Sequence, residues 1–461
     1  MRVLFCASEA HPFVKTGGLA DVAGALPVAL EAQGIEVSIV MPKYKTVHSP
    51  RSTVHGRDVE VAKIGKNILV YLIKNDTYFN REGLYGDSHG DYPDNLERFS
   101  FYCKRVLELL KEIQWQPDIV HCHDWQTALI PVYLKNTYSE DTFYNKIKAI
   151  FTIHNLGYQG VFPREEYPTL GLDGALFSID GLEFYHKINL LKGGLLFSDI
   201  LTTVSPTYAK EILTKKFGCG LEGILHKRQK ELFGILNGLD YGYWNPETDT
   251  YIAKAYSGKS IEDKAINKEA LQEQCGLAVD DRIPLLGVVG RLVEQKGIDL
   301  IVESVDSLIT HSPLQLVALG KGETKYEKHL EALAKKYPHN VSARFDFDEP
   351  LAHKIYAGCD MFLMPSRYEP CGLAQMIALR YGAIPIVFKT GGLADTVSEG
   401  NGFVFEHYTE KNFLITVKKA LTAYQDKKKW LLLIQKALSY NFSWEVSARE
   451  YGKLYQRLCN G

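Results

Sequence analysis

Lys15-Thr16-Gly17-Gly18-Leu19-Ala20-Asp21 returns unchanged near the far end of the chain as Lys389-Thr390-Gly391-Gly392-Leu393-Ala394-Asp395. Each copy follows an apolar run that reads as a β-strand: Val3-Leu4-Phe5 before the first, Ile384-Pro385-Ile386-Val387-Phe388 before the second. Each is followed by residues that suit a helix. A Gly-Gly pair at a strand-to-helix turn lets the backbone come close to a ligand, and aims free N–H groups and a helix N-terminus at any anion there. Two tight turns that need glycine for positive φ are the alternative reading. Because both copies also carry Lys and Asp, the repeat predicts two α/β halves facing one cleft, with a phosphate-bearing ligand between them.

Working outward from the repeat, short apolar strands alternate with amphipathic helices from end to end. Val37–Val40, Ile68–Ile73, Ile119–His121 and Ala149–Ile153 read as strands in the first half. Phe101–Ile113 reads as a helix, with Val106, Leu109, Leu110 and Ile113 on one stripe. A second alternating run starts at Leu285–Val289 and continues through Leu314–Leu319, Met361–Met364 and Ile384–Phe388. This alternation predicts parallel, doubly wound sheets. Tyr241–Tyr256 has no clear period, so the domain boundary is expected near 240–258. Ser443–Leu458 reads as a helix whose Trp444, Tyr451 and Tyr455 need a surface to pack on.

A chain of 461 residues exceeds one core. Its net charge of −2 gives no basic footprint for nucleic acid or a membrane surface. No apolar run is long enough for a membrane span, and no signal peptide opens the sequence. Eight scattered cysteines without a CxxC pair suit reduced thiols in a cytosol-like compartment. Cys122 between His121 and His123 invites a metal reading, which no second cysteine pair supports.

Four strand ends carry residues suited to chemistry. Gly290-Arg291-Leu292-Val293-Glu294-Gln295-Lys296-Gly297 follows Leu285–Val289. Open α/β sheets bind ligands at such ends, and an Arg fork plus a Lys can neutralise a diphosphate and stabilise it as a leaving group. Pro365–Leu373 follows Met361–Met364. Within it Glu369 can accept hydrogen bonds from sugar hydroxyls, and the amides of Cys371, Gly372 and Leu373 can hold phosphate. A helix-start acid is the plainer reading of Glu369. In the first half, His154 after Ala149–Ile153 can donate to a sugar hydroxyl or move a proton. Asp124 and Trp125 after Ile119–His121 give a carboxylate beside an aromatic platform, or else a capping Asp and a buried Trp. Asp346-Phe347-Asp348 suits an aromatic face for a base better than a metal clamp, so no metal is expected.

Taken in order, Lys15–Asp21, His123-Asp124-Trp125, His154-Asn155, Asn237-Gly238, Glu262-Asp263-Lys264 with Asn267-Lys268, Gly290-Arg291 with Lys296-Gly297, Arg367–Leu373 and Phe442-Ser443-Trp444 resemble the signature blocks of bacterial glycogen synthases and plant starch synthases. The resemblance spans the whole chain. It implies the GT-B architecture, two Rossmann-like domains facing a deep cleft: residues 1–240, residues 241–442, and a helix over 443–461 that crosses back to the first domain. It implies a retaining glucosyltransferase without cofactor or metal, using ADP-glucose and an α-1,4-glucan in the cytoplasm or a plastid stroma. By position, Lys15, His154, Arg291, Lys296 and Glu369 match catalytic groups. Gly17, Gly18, Asn237, Phe347, Cys371, Gly372 and Leu373 match donor contacts. Asp124, Trp125 and Tyr92 match positions near acceptor or sugar. Ser398-Glu399-Gly400-Asn401 is shorter than the insert many relatives carry there, so a clipped surface loop is expected.

A retaining hydrolase would need two carboxylates, one of them a nucleophile. No good nucleophile is evident, so a front-face displacement assisted by the departing diphosphate is expected. UDP-glucose as donor, a sugar-nucleotide epimerase and a non-catalytic glucan-binding scaffold are the competing readings.

Overall fold

The computed structural model describes residues 1–47, 53–55 and 58–460. It divides into two compact units. One comprises Met1–Gly238 with the segment from Trp444 onward, and the other comprises Leu239–Ser443.

The first unit is built on a nine-stranded sheet in the order Leu232–Gly234, Ile200–Thr203, Lys148–Ile153, Ile119–His123, Arg2–Cys6, Glu36–Pro42, Ile68–Ile73, Val59–Ile64, Thr53–His55. The pairs are parallel as far as Ile68–Ile73, and the last two strands run antiparallel. This edge hairpin departs from the expected all-parallel sheet. Gly65-Lys66-Asn67 closes it, and the Glu31 carboxylate accepts the amides of Lys66 (2.9 Å) and Asn67 (2.6 Å). The central strands are apolar on both faces, as expected where helices cover both sides. From Arg2–Cys6 the chain first adds strands on one side, then restarts at Ile119–His123 on the other. That reversal is the point where ligands bind in such sheets, beyond the carboxyl ends of the strands. Ala7–Glu9 and Asp124 lie there.

The second unit repeats the plan with six parallel strands: Val341–Arg344, Gln315–Leu319, Leu285–Val289, Met361–Met364, Ile384–Phe388, Phe403–Phe405. Its reversal falls between Leu285–Val289 and Met361–Met364. The loops that leave those two strands carry Arg291, Lys296 and Glu369.

Two expected elements shift for identifiable reasons. The helix expected over Phe101–Ile113 begins earlier, at Asn95, because Asn95, Leu96, Arg98 and Phe99 are themselves buried. The aperiodic Tyr241–Tyr256 stretch is no linker. The Tyr256 hydroxyl donates to the Tyr381 carbonyl (2.7 Å), Asp249 accepts from the Tyr381 hydroxyl (2.6 Å), and Trp244 stacks on His353. The division therefore falls before this stretch, after Gly238. The helix Trp444–Asn460 packs along the helix Gly18–Glu31, with Tyr451 and Tyr455 fully buried. No helix among the described residues is long and apolar enough to cross a membrane.

Candidate active site

In the first unit the heptapeptide Lys15–Asp21 forms the turn into the helix Gly18–Glu31, with Gly17 as the capping residue. Glu9 holds this turn. Its carboxylate accepts the Thr16 amide (2.5 Å) and the Thr16 hydroxyl (2.8 Å), and burial pushes its pKa up despite those bonds. Lys15 is exposed at its ammonium and pairs with Asp21 at 2.7 Å. A side chain on Gly18 would meet nothing within 4 Å, and one on Gly17 would reach only Glu9 Oε1, at 3.9 Å. The turn is therefore open in front of its glycines.

The second copy is shaped by a different need. Gly391 has φ 41°, and a Cβ there would lie 2.0 Å from the Glu369 carbonyl oxygen. A Cβ on Gly392 would lie 2.0 Å from the Cys371 carbonyl oxygen. The Gly392 amide donates to Glu369 O at 3.0 Å, and Lys389 pairs with Glu406. These glycines press backbone against the Glu369–Cys371 turn. The expected phosphate turn at the second copy is corrected to a structural one that props up Glu369.

Asp124, His154 and Trp125 meet at the end of Ile119–His123. Asp124 takes φ 54° and ψ −177°, backbone that L-residues rarely adopt. Its Oδ1 accepts the His154 amide (2.8 Å), and burial raises its pKa to about 7. Asp124 is thus neither a helix cap nor a free carboxylate but the anchor of the His154 loop. His154 is half-buried and held neutral, its pKa lowered to about 3 by burial. Trp125 is only 9% exposed, edge-on to Phe99 and against Phe162. Gly160 lies so close that a Cβ there would sit 2.6 Å from the indole. The expected aromatic platform is corrected: the ring is core, because Phe99, Phe162 and Gly160 surround it.

Tyr92 is corrected too. Its ring lies against the guanidinium groups of Arg81 and Arg98, and its hydroxyl accepts the Gly83 amide at 3.2 Å. Tyr85 is the tyrosine directed at the strand ends, its hydroxyl 2.7 Å from Ser8 Oγ. Asn237 is buried, and its Oδ1 has no hydrogen-bond partner among the described residues. An orphaned buried acceptor of this kind calls for a ligand or water donor.

In the second unit Lys296 Nζ donates to Glu369 Oε2 at 2.5 Å, and Ser366 Oγ donates to the same oxygen at 3.0 Å. Glu369 is 7% exposed. Arg291 lies exposed on the same loop, with a long 3.5 Å contact to Gln295. The two loops are joined by their backbones, the Arg367 amide donating to Gln295 O at 2.9 Å. Cys371, Gly372 and Leu373 lead into the helix Ala374–Arg380, with Gly372 at φ 75°. The Gln375 side chain donates to the carbonyls of Cys371 and Gly372 and so fixes that turn. Phe347 is 94% exposed, an uncovered ring between two carboxylates. Ser398–Asn401 is a tight turn closed by Asn401, whose Oδ1 accepts the Ser398 amide (2.7 Å). The Glu262–Lys268 block is structural. Lys264 donates to the carbonyls of Tyr356 and Ala357, and Lys268 pairs with buried Asp360 at 2.8 Å.

Residues 2–227 match the family model of the starch synthase catalytic domain, and residues 271–431 match that of the group 1 glycosyl transferases. A glycogen synthase of Geotalea daltonii is 48% identical over 477 residues, covering 99% of this chain and 98% of its own. One from Clostridium beijerinckii is 47% identical, covering 99% of each. The chain belongs to the glycogen synthase family. The catalytic domain of starch synthase IV from Arabidopsis thaliana, solved bound to ADP and acarbose, superposes with a TM-score of 0.91 at 35% identity, over 100% of this chain and 99% of that one. A sucrose-phosphate synthase of Thermosynechococcus elongatus, at 18% identity and a TM-score of 0.63, shares the fold alone. A glycogen synthase of this kind is a glucosyltransferase of the GT-B class, with two Rossmann-like α/β domains.

Glu9, Tyr85 and Ser366 were not singled out by the sequence. Glu9 had a signal, an acid just past an apolar strand and before the Gly-Gly turn. Tyr85 had none, since the Gly83–Tyr92 loop has no period that tells which tyrosine turns inward.

Proposed function

We propose that this glucosyltransferase takes glucose from ADP-glucose, adds it to the 4-hydroxyl at the non-reducing end of an α-1,4-glucan, and retains the anomeric configuration. The observation that carries this reading is the Lys296–Glu369 pair at the strand reversal of the second unit. It sets a cation for phosphate beside a carboxylate for sugar hydroxyls. Glu369 Oε2 is engaged by Lys296 and Ser366, which leaves Oε1 for the sugar. A carboxylate held this way binds and orients; it is not a free nucleophile.

The chemistry then follows from charge. The bond from glucose C1 to the diphosphate oxygen breaks as Arg291 and Lys296 stabilise the growing negative charge. The bond from C1 to the acceptor oxygen forms on the same face, and the acceptor proton passes to the departing phosphate. Arg291 and Lys296 supply charge for which a metal would otherwise serve. The open space before Gly17 and Gly18 supports close approach of the donor, and the orphaned Asn237 Oδ1 supports a sugar contact. The ADP in the Arabidopsis relative supports adenine as the base, with exposed Phe347 available to stack on it, and its acarbose supports a saccharide acceptor. Eight free cysteines support a reducing, cytoplasmic compartment.

The test is glucan extension with ADP-glucose and UDP-glucose in competition. ADP release coupled to extension, with ADP-glucose preferred, is expected. Preference for UDP-glucose overturns the donor assignment. Interconversion of the nucleotide sugar without extension favours the epimerase reading.

A further inference from the structure

His123 has a task that the reaction above leaves unexplained. It lies on the strand Ile119–His123, fully buried, with its ring stacked on Phe5 at 5.3 Å between centroids. Its Nδ1 is 2.9 Å from His154 Nε2. Its Nε2 is buried and has no hydrogen-bond partner among the described residues. The neighbouring His121, with its ring 4.2 Å away, is satisfied at both nitrogens, by the Tyr455 hydroxyl (2.8 Å) and by Thr152 Oγ1 (2.6 Å).

Burial holds all three imidazoles neutral: the pKa values of His121 and His154 fall to about 3, and that of His123 falls well below its ordinary value. Each ring therefore carries one N–H, and one proton lies between His123 and His154. Two arrangements satisfy that bond. In the first, His154 donates from Nε2, and His123 must carry its own proton on Nε2, where a buried N–H finds no acceptor. In the second, His123 donates from Nδ1, and only a lone pair is left unpaired at its Nε2. Buried N–H groups are the rarer and costlier orphans, so the second arrangement wins. His154 then has its proton on Nδ1, the ring nitrogen not engaged by His123.

We infer that His123 is a positioning residue that donates from Nδ1 to His154 Nε2, locking His154 as the Nδ1–H tautomer so that it presents a hydrogen-bond donor to a sugar hydroxyl oxygen. The sugar end of this inference rests on the donor site proposed above; the tautomer does not. Asp124 completes the device by accepting the His154 amide. A neutral, locked ring orients the substrate and carries no proton to the reaction.

Two measurements test it on the full chain. The first is the nitrogen spectrum of protein labelled with 15N-histidine, with His154 assigned by loss of its signals in His154→Gln. An Nδ1–H tautomer for His154 is expected, and an Nε2–H tautomer overturns the inference even if the chain proves not to extend glucan. The second compares His123→Leu with His123→Asn, whose carboxamide N–H lies near the position of Nδ1. His123→Leu should lower kcat on the order of 10–100-fold, with the sugar-nucleotide KM changed far less. His123→Asn should recover most of that loss. Equal activity of the two variants, or unchanged kcat in His123→Leu, refutes the positioning role.

Discussion

At Asp124 the backbone is held at φ 54° by the surrounding strands, and the carboxyl is buried enough to keep its proton to about pH 7. An unfolded Asp loses that proton near pH 4. Between those values the folded chain binds more protons than the unfolded one, so the contribution of Asp124 to stability is present at low pH and is lost as pH rises through 7. Asp124→Asn keeps an oxygen for the His154 amide and cannot ionise. It should melt close to the parent at pH 5 and about 3–6 °C higher at pH 8. Thermal unfolding of both proteins at the two pH values checks this, and a gap that does not change with pH would contradict the burial argument. At Lys296 the effect falls on the reaction. Lys296→Ala should lose on the order of 2–4 kcal/mol of transition-state stabilisation, read as kcat/KM for glucan extension. Near-normal turnover would remove Lys296 from the mechanism.

At the level of elements, two identical heptapeptides solve different problems. Gly18 faces open space, while Gly392 faces the Cys371 carbonyl at a distance no Cβ tolerates. The same substitution should therefore act oppositely at equivalent positions. Gly18→Ala should leave the melting temperature within about 2 °C, because no protein atom meets the added methyl, and raise the sugar-nucleotide KM if the donor approaches this turn as proposed. Gly392→Ala should destabilise by about 1–3 kcal/mol and lower activity through displaced Glu369. Urea unfolding and steady-state kinetics on the pair decide it; equal stability losses would mean that the first turn is packed too. This contrast also marks what the sequence could reveal. The placement of Arg291, Lys296 and Glu369 at strand ends was legible because they follow apolar strands. Which face a side chain takes after the strand was not legible. Trp125 sits one residue past Asp124, yet its ring turns into Phe99 and Phe162. Tyr85, which the sequence did not single out, meets Ser8 from inside an irregular loop, and Gly391 and Gly392 owe their presence to a turn distant in sequence.

Across the whole molecule, the chain leaves the first unit after Gly238 and returns at Trp444, with the Leu239 amide donating to the Phe442 carbonyl at 2.7 Å where the two passages meet. The second unit is thus one uninterrupted segment with its own sheet and core. A fragment spanning 239–443 should fold alone and melt cooperatively. A chain ending at residue 443 should lack a stable first unit, since Trp444, Tyr451 and Tyr455 would be missing from its core and His121 would lose the Tyr455 hydroxyl. Calorimetry of the fragment and of the shortened chain checks both outcomes, and a native-like first transition in the shortened chain would contradict the packing described. The broad plan, with two wound sheets and a returning aromatic helix, was visible in the alternation of apolar runs. The antiparallel edge at Val59–Ile64 was not, because its residues suit either strand direction.

The place of Trp444–Asn460 also sets a timetable for synthesis. On the ribosome the residues that finish the N-terminal half are made only after the whole of the second unit. The half translated first therefore waits for the half translated second. A nascent chain can close its His121 corner only once Tyr455 has been made, so termination before that residue yields a first half whose core is incomplete.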